Sequence, residues 1–246
     1  MDIKAFKMDG LGNDFVIIDQ RYQNYNLTKD QIIKICDRKF IGCDQLIFIK
    51  KSDEKDAGLE FYNSDGSISG ACGNGTRCVA DLLSKEKNDK EIILWTSSGA
   101  LKSQILGDNL VETEIGVPKT NWNEIPLNQN LDTKNLNIKI VNKNNIEHVG
   151  GTSVNVGNPH VVFFVDNIED YDLKKIGPEI ENHNYFPEKC NVTLAQVINK
   201  KLIKVKVWER GAGLTKACGT AACATAVAAN INGLTDKTTD IEFALG

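Results

Sequence analysis

The chain repeats itself once, and the repeat confines it to folds built from two similar halves. Gly12-Asn13 recurs as Gly157-Asn158, 145 residues on, and both pairs precede an apolar, β-branched run: Val16-Ile17-Ile18, and Val161-Val162 with Phe163-Phe164. Ala71-Cys72-Gly73 recurs as Ala217-Cys218-Gly219, 146 residues on. Nine residues before each of these cysteines a polar residue follows an aromatic one, Tyr62-Asn63 and Trp208-Glu209. Each cysteine is followed by a helix-like stretch and then by a β-rich segment ending in glycine, Ile92 to Gly99 and Ile241 to Gly246. One matching tripeptide would be weak evidence; four features in constant register are not.

The two halves are read as residues 1–117 and 118–246, with the seam in the proline- and asparagine-rich stretch from Pro118 to Asn130. Short β-branched runs dominate each half, among them Gln45 to Ile49, Ile92 to Thr96 and Ile203 to Trp208. Helices are expected over Thr28 to Asp37, Thr76 to Lys87 and Gly219 to Asn230. The last is alanine-rich and small all round, which predicts a helix buried on every side. The expected fold is α+β: two pseudo-symmetric lobes, each a mainly antiparallel, barrel-like sheet around a central helix, with the active site in the cleft between them.

Composition excludes classes without naming a function. The net charge of −4 comes with only short basic clusters, which argues against nucleic acid or an anionic membrane as partner. The longest fully apolar run, Val161 to Val165, is far too short to span a bilayer, and the opening residues have no signal-peptide core, so a cytoplasmic protein is expected. Seven cysteines form no disulfide framework. Cys72 and Cys78 make C-x5-C, Cys218 and Cys223 make C-x4-C, and His148, His160 and His183 complete no zinc site, so no metal is expected.

Cys72 and Cys218 each stand at a β-to-helix junction followed by glycine. A helix N-terminus offers unpaired N–H groups and partial positive charge, which hold an anion and lower a thiol pKa. The glycine lets a ligand approach that backbone closely. If the halves face each other about their pseudo-twofold, two thiols and two sets of N–H donors surround one anion. That arrangement suits inversion of a carbon beside a carboxylate: one thiolate removes the proton from one face while one thiol delivers another to the opposite face. Charge developing on the carboxylate would meet the helix N–H groups. The plainer reading, two inert helix-start cysteines, would hold for one such motif rather than for two in register.

These residues resemble the diaminopimelate epimerase family, from the first ten residues to the end of the chain. The resemblance rests on Gly10-Leu11-Gly12-Asn13-Asp14-Phe15, Gly42-Cys43-Asp44-Gln45-Leu46, Asn63-Ser64-Asp65-Gly66 and Ala71-Cys72-Gly73-Asn74-Gly75-Thr76-Arg77-Cys78. It continues with Gly157-Asn158-Pro159-His160, Asn191-Val192 and the run from Trp208-Glu209-Arg210-Gly211 through Ala217-Cys218-Gly219-Thr220. It implies interconversion of LL- and meso-diaminopimelate, in lysine and cell-wall precursor synthesis, without pyridoxal phosphate or any other cofactor. Cys72 and Cys218 would be the acid/base pair, and Gly73-Asn74 and Gly219-Thr220 would hold the reacting carboxylate. Asn13, Gln45, Asn63, Asn158, Asn191 and Arg210 would grip the rest of the substrate, with Glu209 and His160 near the reacting amine. The partners the resemblance implies are a small zwitterionic amino-acid substrate and, as one open option, a second copy in a homodimer.

Arg210 offers a planar fork for the distal carboxylate, and the amides can both donate and accept. Taken singly, Asn13 or Asn158 could be turn residues, His160 a core histidine, and Glu209-Arg210 a surface ion pair. Asp9, Cys43, Leu214 and Ala221 depart from the family's usual histidine, alanine, glutamate and glycine. A proline or hydroxyproline racemase would leave Arg210 and the asparagines unexplained. A phenazine-type isomerase is disfavoured by the cysteine pair, and a duplicated non-catalytic binding module would bind without proton exchange. The first half continues past Gly99 with strand-like runs around Gly107-Asp108-Asn109, whereas the second stops at Gly246. By its own repeat the chain is therefore expected to lack about 19 C-terminal residues.

Overall fold

Val16-Ile17-Ile18 and Leu46-Ile47-Phe48 are continuous apolar runs because their strands are covered on both faces. These strands are β2 (Asn13–Asp19) and β3 (Gln45–Lys50), paired in parallel with Ile17 opposite Ile47. Val16, Ile18, Leu46 and Phe48 pack against Ile32 and Cys36 of helix α1 (Lys29–Cys36). The alternate residues Phe15, Ile17, Ile47 and Ile49 pack with Val79, Ala80 and Leu83 of helix α2 (Gly73–Lys87). The computed structural model describes residues 3–70, 72–97 and 99–246.

The chain divides into two units, Met1–Ile115 and Gly116–Gly246. The division falls two residues ahead of the expected boundary. Strand pairing in the first unit ends at Thr113, and Lys119 already bridges to Asn155 in the second. The first unit adds β1 (Ala5–Gly10), β4 (Ala57–Asn63), β5 (Ile68–Ser69), β6 (Glu91–Thr96), β7 (Gly99–Gly107) and β8 (Leu110–Thr113). Its sheet runs β1-β2-β3-β4-β6-β7-β8, with β5 on β4. The second unit contains β9 (Ile138–Val141) and β10 (Glu147–Gly150), a separate hairpin, then β11 (Thr152–Asn155), β12 (Pro159–Phe164) and helix α3 (Leu173–Glu181). It ends with β13 (Asn191–Asn199), β14 (Leu202–Glu209), β15 (Gly213–Thr215), helix α4 (Gly219–Ile231) and β16 (Asp240–Glu242). The main sheet here runs β11-β12-β13-β14-β15, with β16 on β14.

Pairing registers repeat along with the sequence. Phe15 opposite Gln45 in a parallel pair recurs as His160 opposite Asn191, and Phe61 opposite Ser69 in an antiparallel pair recurs as Val207 opposite Thr215. Each sheet is thus a curled, mixed sheet with a helix against it, an α+β arrangement. Ala71 of the first repeated tripeptide lies outside the described residues.

The two central helices differ in cover. α2 lies against β1, β2, β6, β7 and β8, whereas α4 lies against β11, β12, β13 and β16. The expectation that the alanine-rich helix is buried on every side is corrected accordingly. Ala221, Ala224, Thr225, Ala228 and Ala229 form a buried face, and the rest of α4 is half-buried. α2 also begins three residues before the expected Thr76. Gly75 permits this, because a Cβ there would lie 2.7 Å from Ile47 Cδ1 and 3.0 Å from Phe61 Cε1.

Candidate active site

Cys72 and Cys218 are the N-cap residues of α2 and α4, a position usually held by serine, threonine, aspartate or asparagine. Their backbones are nearly identical, with φ −143° and ψ 113° at Cys72 and φ −143° and ψ 116° at Cys218. Gly73 and Gly219 follow as the first helical residues, where amides have no acceptor within the helix. Cys72 is half-buried, and its Sγ accepts from the Gly75 N–H at 3.5 Å. Cys218 is buried, and its Sγ lies 3.3 Å from the Thr220 hydroxyl. Burial first, and then the Glu209 carboxylate, push the Cys218 thiol well above its ordinary pKa, opposed by Thr220 and the Ala221 amide. Cys218 is therefore held as a thiol.

Topology gathers the amides. β2 and β3 both start, and the antiparallel β4 ends, at the same end of the first sheet, which places Asn13, Gln45 and Asn63 together. Gln45 is directly opposite Asn63, and its Nε2 donates to Asn63 Oδ1 at 2.9 Å. Gln45 Oε1 is buried without a partner. Asn63 Nδ2 donates to the Ser67 hydroxyl at 3.0 Å. Asn13 donates to Asp44 Oδ2 at 2.9 Å, while its Oδ1 lies 3.2 Å from Asn74 Nδ2 and 3.8 Å from Cys72 Sγ.

The second sheet repeats the plan with different residues. β12 and β13 start where β14 ends, so Asn158, Asn191 and Glu209 correspond to Asn13, Gln45 and Asn63. Asn191 Oδ1 accepts the Arg210 backbone N–H at 2.9 Å, and its Nδ2 donates to the Pro159 carbonyl at 3.0 Å. Glu209 Oε1 accepts from the Thr215 hydroxyl at 2.5 Å. Arg210 is exposed and donates to the Glu188 carbonyl at 2.8 Å. Sequence gives no role to Asp44, Thr215 or Glu188; Asp44 and Thr215 lie within the family motifs, and Glu188 does not.

His160 is fully buried, with Nε2 2.8 Å from Asn158 Oδ1 and Nδ1 lacking a partner. Burial, with the Arg210 charge adding to it, lowers its pKa to about 3. The unfolded chain, titrating near 6.5, then takes up the extra proton first. The stability this neutral ring contributes is complete above pH 6.5 and is lost as pH falls toward 3. His160→Gln should remove that acid loss. Urea midpoints of variant and parent should converge between pH 7.5 and 5, and a constant gap would refute the assignment.

Cys43, Cys78 and Cys190 are buried elsewhere; Cys43 Sγ sits 3.4 Å from Cys36 Sγ, outside both N-caps. A surface depression lined by Lys4, Asp19, Arg21 and Glu86 is occupied by its own ion pairs, Arg21 with Asp19 at 2.7 Å and with Glu86 at 2.5 Å. Among the described residues no group of histidines, cysteines and carboxylates could hold a metal ion, and no helix is long and apolar enough to cross a membrane.

The diaminopimelate epimerase family model matches residues 5–120 and 152–246. The chain is 77% identical over 246 residues to the diaminopimelate epimerase of Pelagibacter ubique (strain HTCC1062), covering all of this chain and 90% of that one. It is 45% identical over 238 residues to that of Phenylobacterium zucineum (strain HLK1), covering 96% of this chain and 86% of the relative. Among solved structures, a phenazine biosynthesis protein of the PhzF family from Bacillus anthracis matches with a TM-score of 0.63 at 15% identity, covering 98% of this chain and 85% of that one. A hydroxyproline epimerase from Agrobacterium vitis matches at 0.61 and 12% identity, covering 95% and 78%. At such identities the structures speak for the fold alone. With both cysteine N-caps inside the matched segments, the chain belongs to the diaminopimelate epimerase family.

Proposed function

We propose that this protein interconverts LL- and meso-diaminopimelate by a two-base mechanism in which Cys72 and Cys218 exchange the roles of base and acid. The observation that carries the proposal is the pair of cysteine N-caps with matching backbone angles at equivalent points of two repeated sheets. Burial holds Cys218 as the thiol, the form in which it can deliver a proton. Amides at the starts of α2 and α4, from Gly73, Asn74, Gly219 and Thr220, receive the charge that builds on the α-carboxylate when the proton leaves.

Asn13, Gln45, Asn63, Asn158 and Asn191 take the distal amino-acid group, with Arg210 on its carboxylate. Glu209 accepts from the reacting ammonium. His160, neutral at working pH, orients Asn158. The unpartnered Gln45 Oε1 supports this reading, since a buried acceptor without a donor gains most from an arriving N–H. The residues named act without a cofactor, and the thiol chemistry fits the reducing cytoplasm. A proline-type racemase has no use for the distal group, because its substrate would leave these donors and acceptors unpaired.

The test is turnover of LL-diaminopimelate in deuterated water with reduced protein. In the first turnovers, deuterium should enter the epimerised product and hardly enter recovered substrate. Binding without exchange would make the protein a non-catalytic module, and exchange with proline but not diaminopimelate would make it a racemase of the other kind.

A further inference from the structure

Asparagine is nearly symmetric in shape, and whether its oxygen or its nitrogen faces a neighbour is decided by what that neighbour can do. At Asn13 the decision is forced. Asp44 is a carboxylate, which only accepts, and its Oδ2 lies 2.9 Å from Asn13 Nδ2 and 3.1 Å from the Asp14 N–H. Its other oxygen is taken by Arg38, which also holds both oxygens of Asp14 at 2.6 and 2.7 Å. With its nitrogen committed to Asp44, Asn13 must turn Oδ1 toward Asn74 Nδ2 and Cys72 Sγ. The far end agrees independently. Asn74 is buried, and its Oδ1 accepts from Arg77 at 2.5 Å; a guanidinium only donates, so Asn74 must offer its nitrogen to Asn13. A carboxylate and a guanidinium thus fix the two amides between them in one sense.

We propose that Asp44 is a positioning residue: by fixing the amide of Asn13 it keeps an acceptor, rather than a donor, beside Cys72 and facing the substrate. This rests on the epimerase reading above and deepens it. An oxygen at that place favours Cys72 as an S–H donor and takes an N–H from a substrate ammonium. An NH2 group there would oppose an ammonium and favour a carboxylate. Since the substrate carries both groups at each end, one amide turned over is enough to misplace the distal end. Asp44 does this without touching substrate. Asparagine cannot replace it: one oxygen serves either Arg38 or Asn13, and the charged partner takes it, which leaves NH2 against NH2 and turns Asn13 over.

The test is a double-mutant cycle in the full chain with LL-diaminopimelate, using Asp44→Asn, Asn13→Ala and both together. Asp44→Asn should raise KM about tenfold with kcat kept within about threefold, and should add less than about twofold to Asn13→Ala. A purely structural role would lower the active fraction instead, so kcat would fall at unchanged KM. That result, or single effects that multiply in the double variant, overturns the proposal. If Asp44→Asn does not fold, Asp44→Ser, whose shorter hydroxyl does not reach Asn13, takes its place. The side-chain NH2 resonances of Asn13 in the substrate-free protein, assigned by their loss in Asn13→Ala, should move when Asp44 is replaced; unmoved resonances overturn the proposal too. This last reading needs no turnover, so it judges Asp44 even if the wild-type chain fails to epimerise, which would count against the epimerase reading alone.

Discussion

Alanine at Cys72 or at Cys218 is expected to lower epimerisation by at least about a thousandfold, near the upper range for losing a general acid or base. Each thiol is the only titratable group proposed for its face of the carbon, and the helix amides can hold the carboxylate but cannot move a proton. The two losses should not multiply, because one missing proton carrier already stops inversion. Cys78→Ala and Cys190→Ala serve as controls. Both thiols are buried and pushed up by burial, Cys78 to about 11, and neither is an N-cap. Stability can fall in these variants through the cavity left behind, so the comparison is made on folded protein at matched concentration of remaining thiols. Epimerisation that survives either N-cap substitution, or that is lost equally in a control, would end the two-thiol assignment. Proton exchange at one face without inversion would instead strengthen it, since the remaining thiol can still remove and return its own proton.

The architecture was legible where chemistry repeats and illegible where it depends on distant partners. The offset of 145 to 146 residues located both repeated cysteines, and strand pairing carries the same offset. Runs such as Val16 to Ile18 revealed strands but not that their neighbours lie parallel, because a strand buried on both faces carries no alternation to read. The start of α2 was missed because Gly73-Asn74-Gly75 looks like a helix breaker in isolation. Its meaning appears only with Ile47 and Phe61 against Gly75. The amides of the site were found by motif, yet their orientation was not, because Asp44 is 31 residues from Asn13 in sequence and no local pattern joins them.

A methyl group at Gly177 should destabilise the protein by about 2–4 kcal/mol, against the ordinary rule that alanine improves a helix by up to about 1 kcal/mol over glycine. Gly177 is buried in α3, and a Cβ there would lie 2.4 Å from Trp208 Cγ, 2.5 Å from Cδ2 and 2.8 Å from Cβ. The indole cannot step aside cheaply. Its Nε1 donates to Glu181 Oε2 at 2.7 Å, and the other oxygen of that buried carboxylate accepts the Gly211 N–H at 3.1 Å. Moving the ring therefore adds the cost of an unpaired buried acceptor, about 1–3 kcal/mol, to the overpacking itself. Trp208 immediately precedes Glu209 and Arg210 at the end of β14, so the same shift should disturb the acceptor and the guanidinium proposed to hold substrate. Gly177→Ala is expected to lower the urea midpoint and to raise KM for diaminopimelate together. Gly177→Ala with Trp208→Ala, which removes the two nearest atoms, Cγ and Cδ2, should regain part of the stability lost to overpacking without restoring KM. A midpoint above that of the parent would mean that helix propensity outweighs packing at this position and that the ring moves freely.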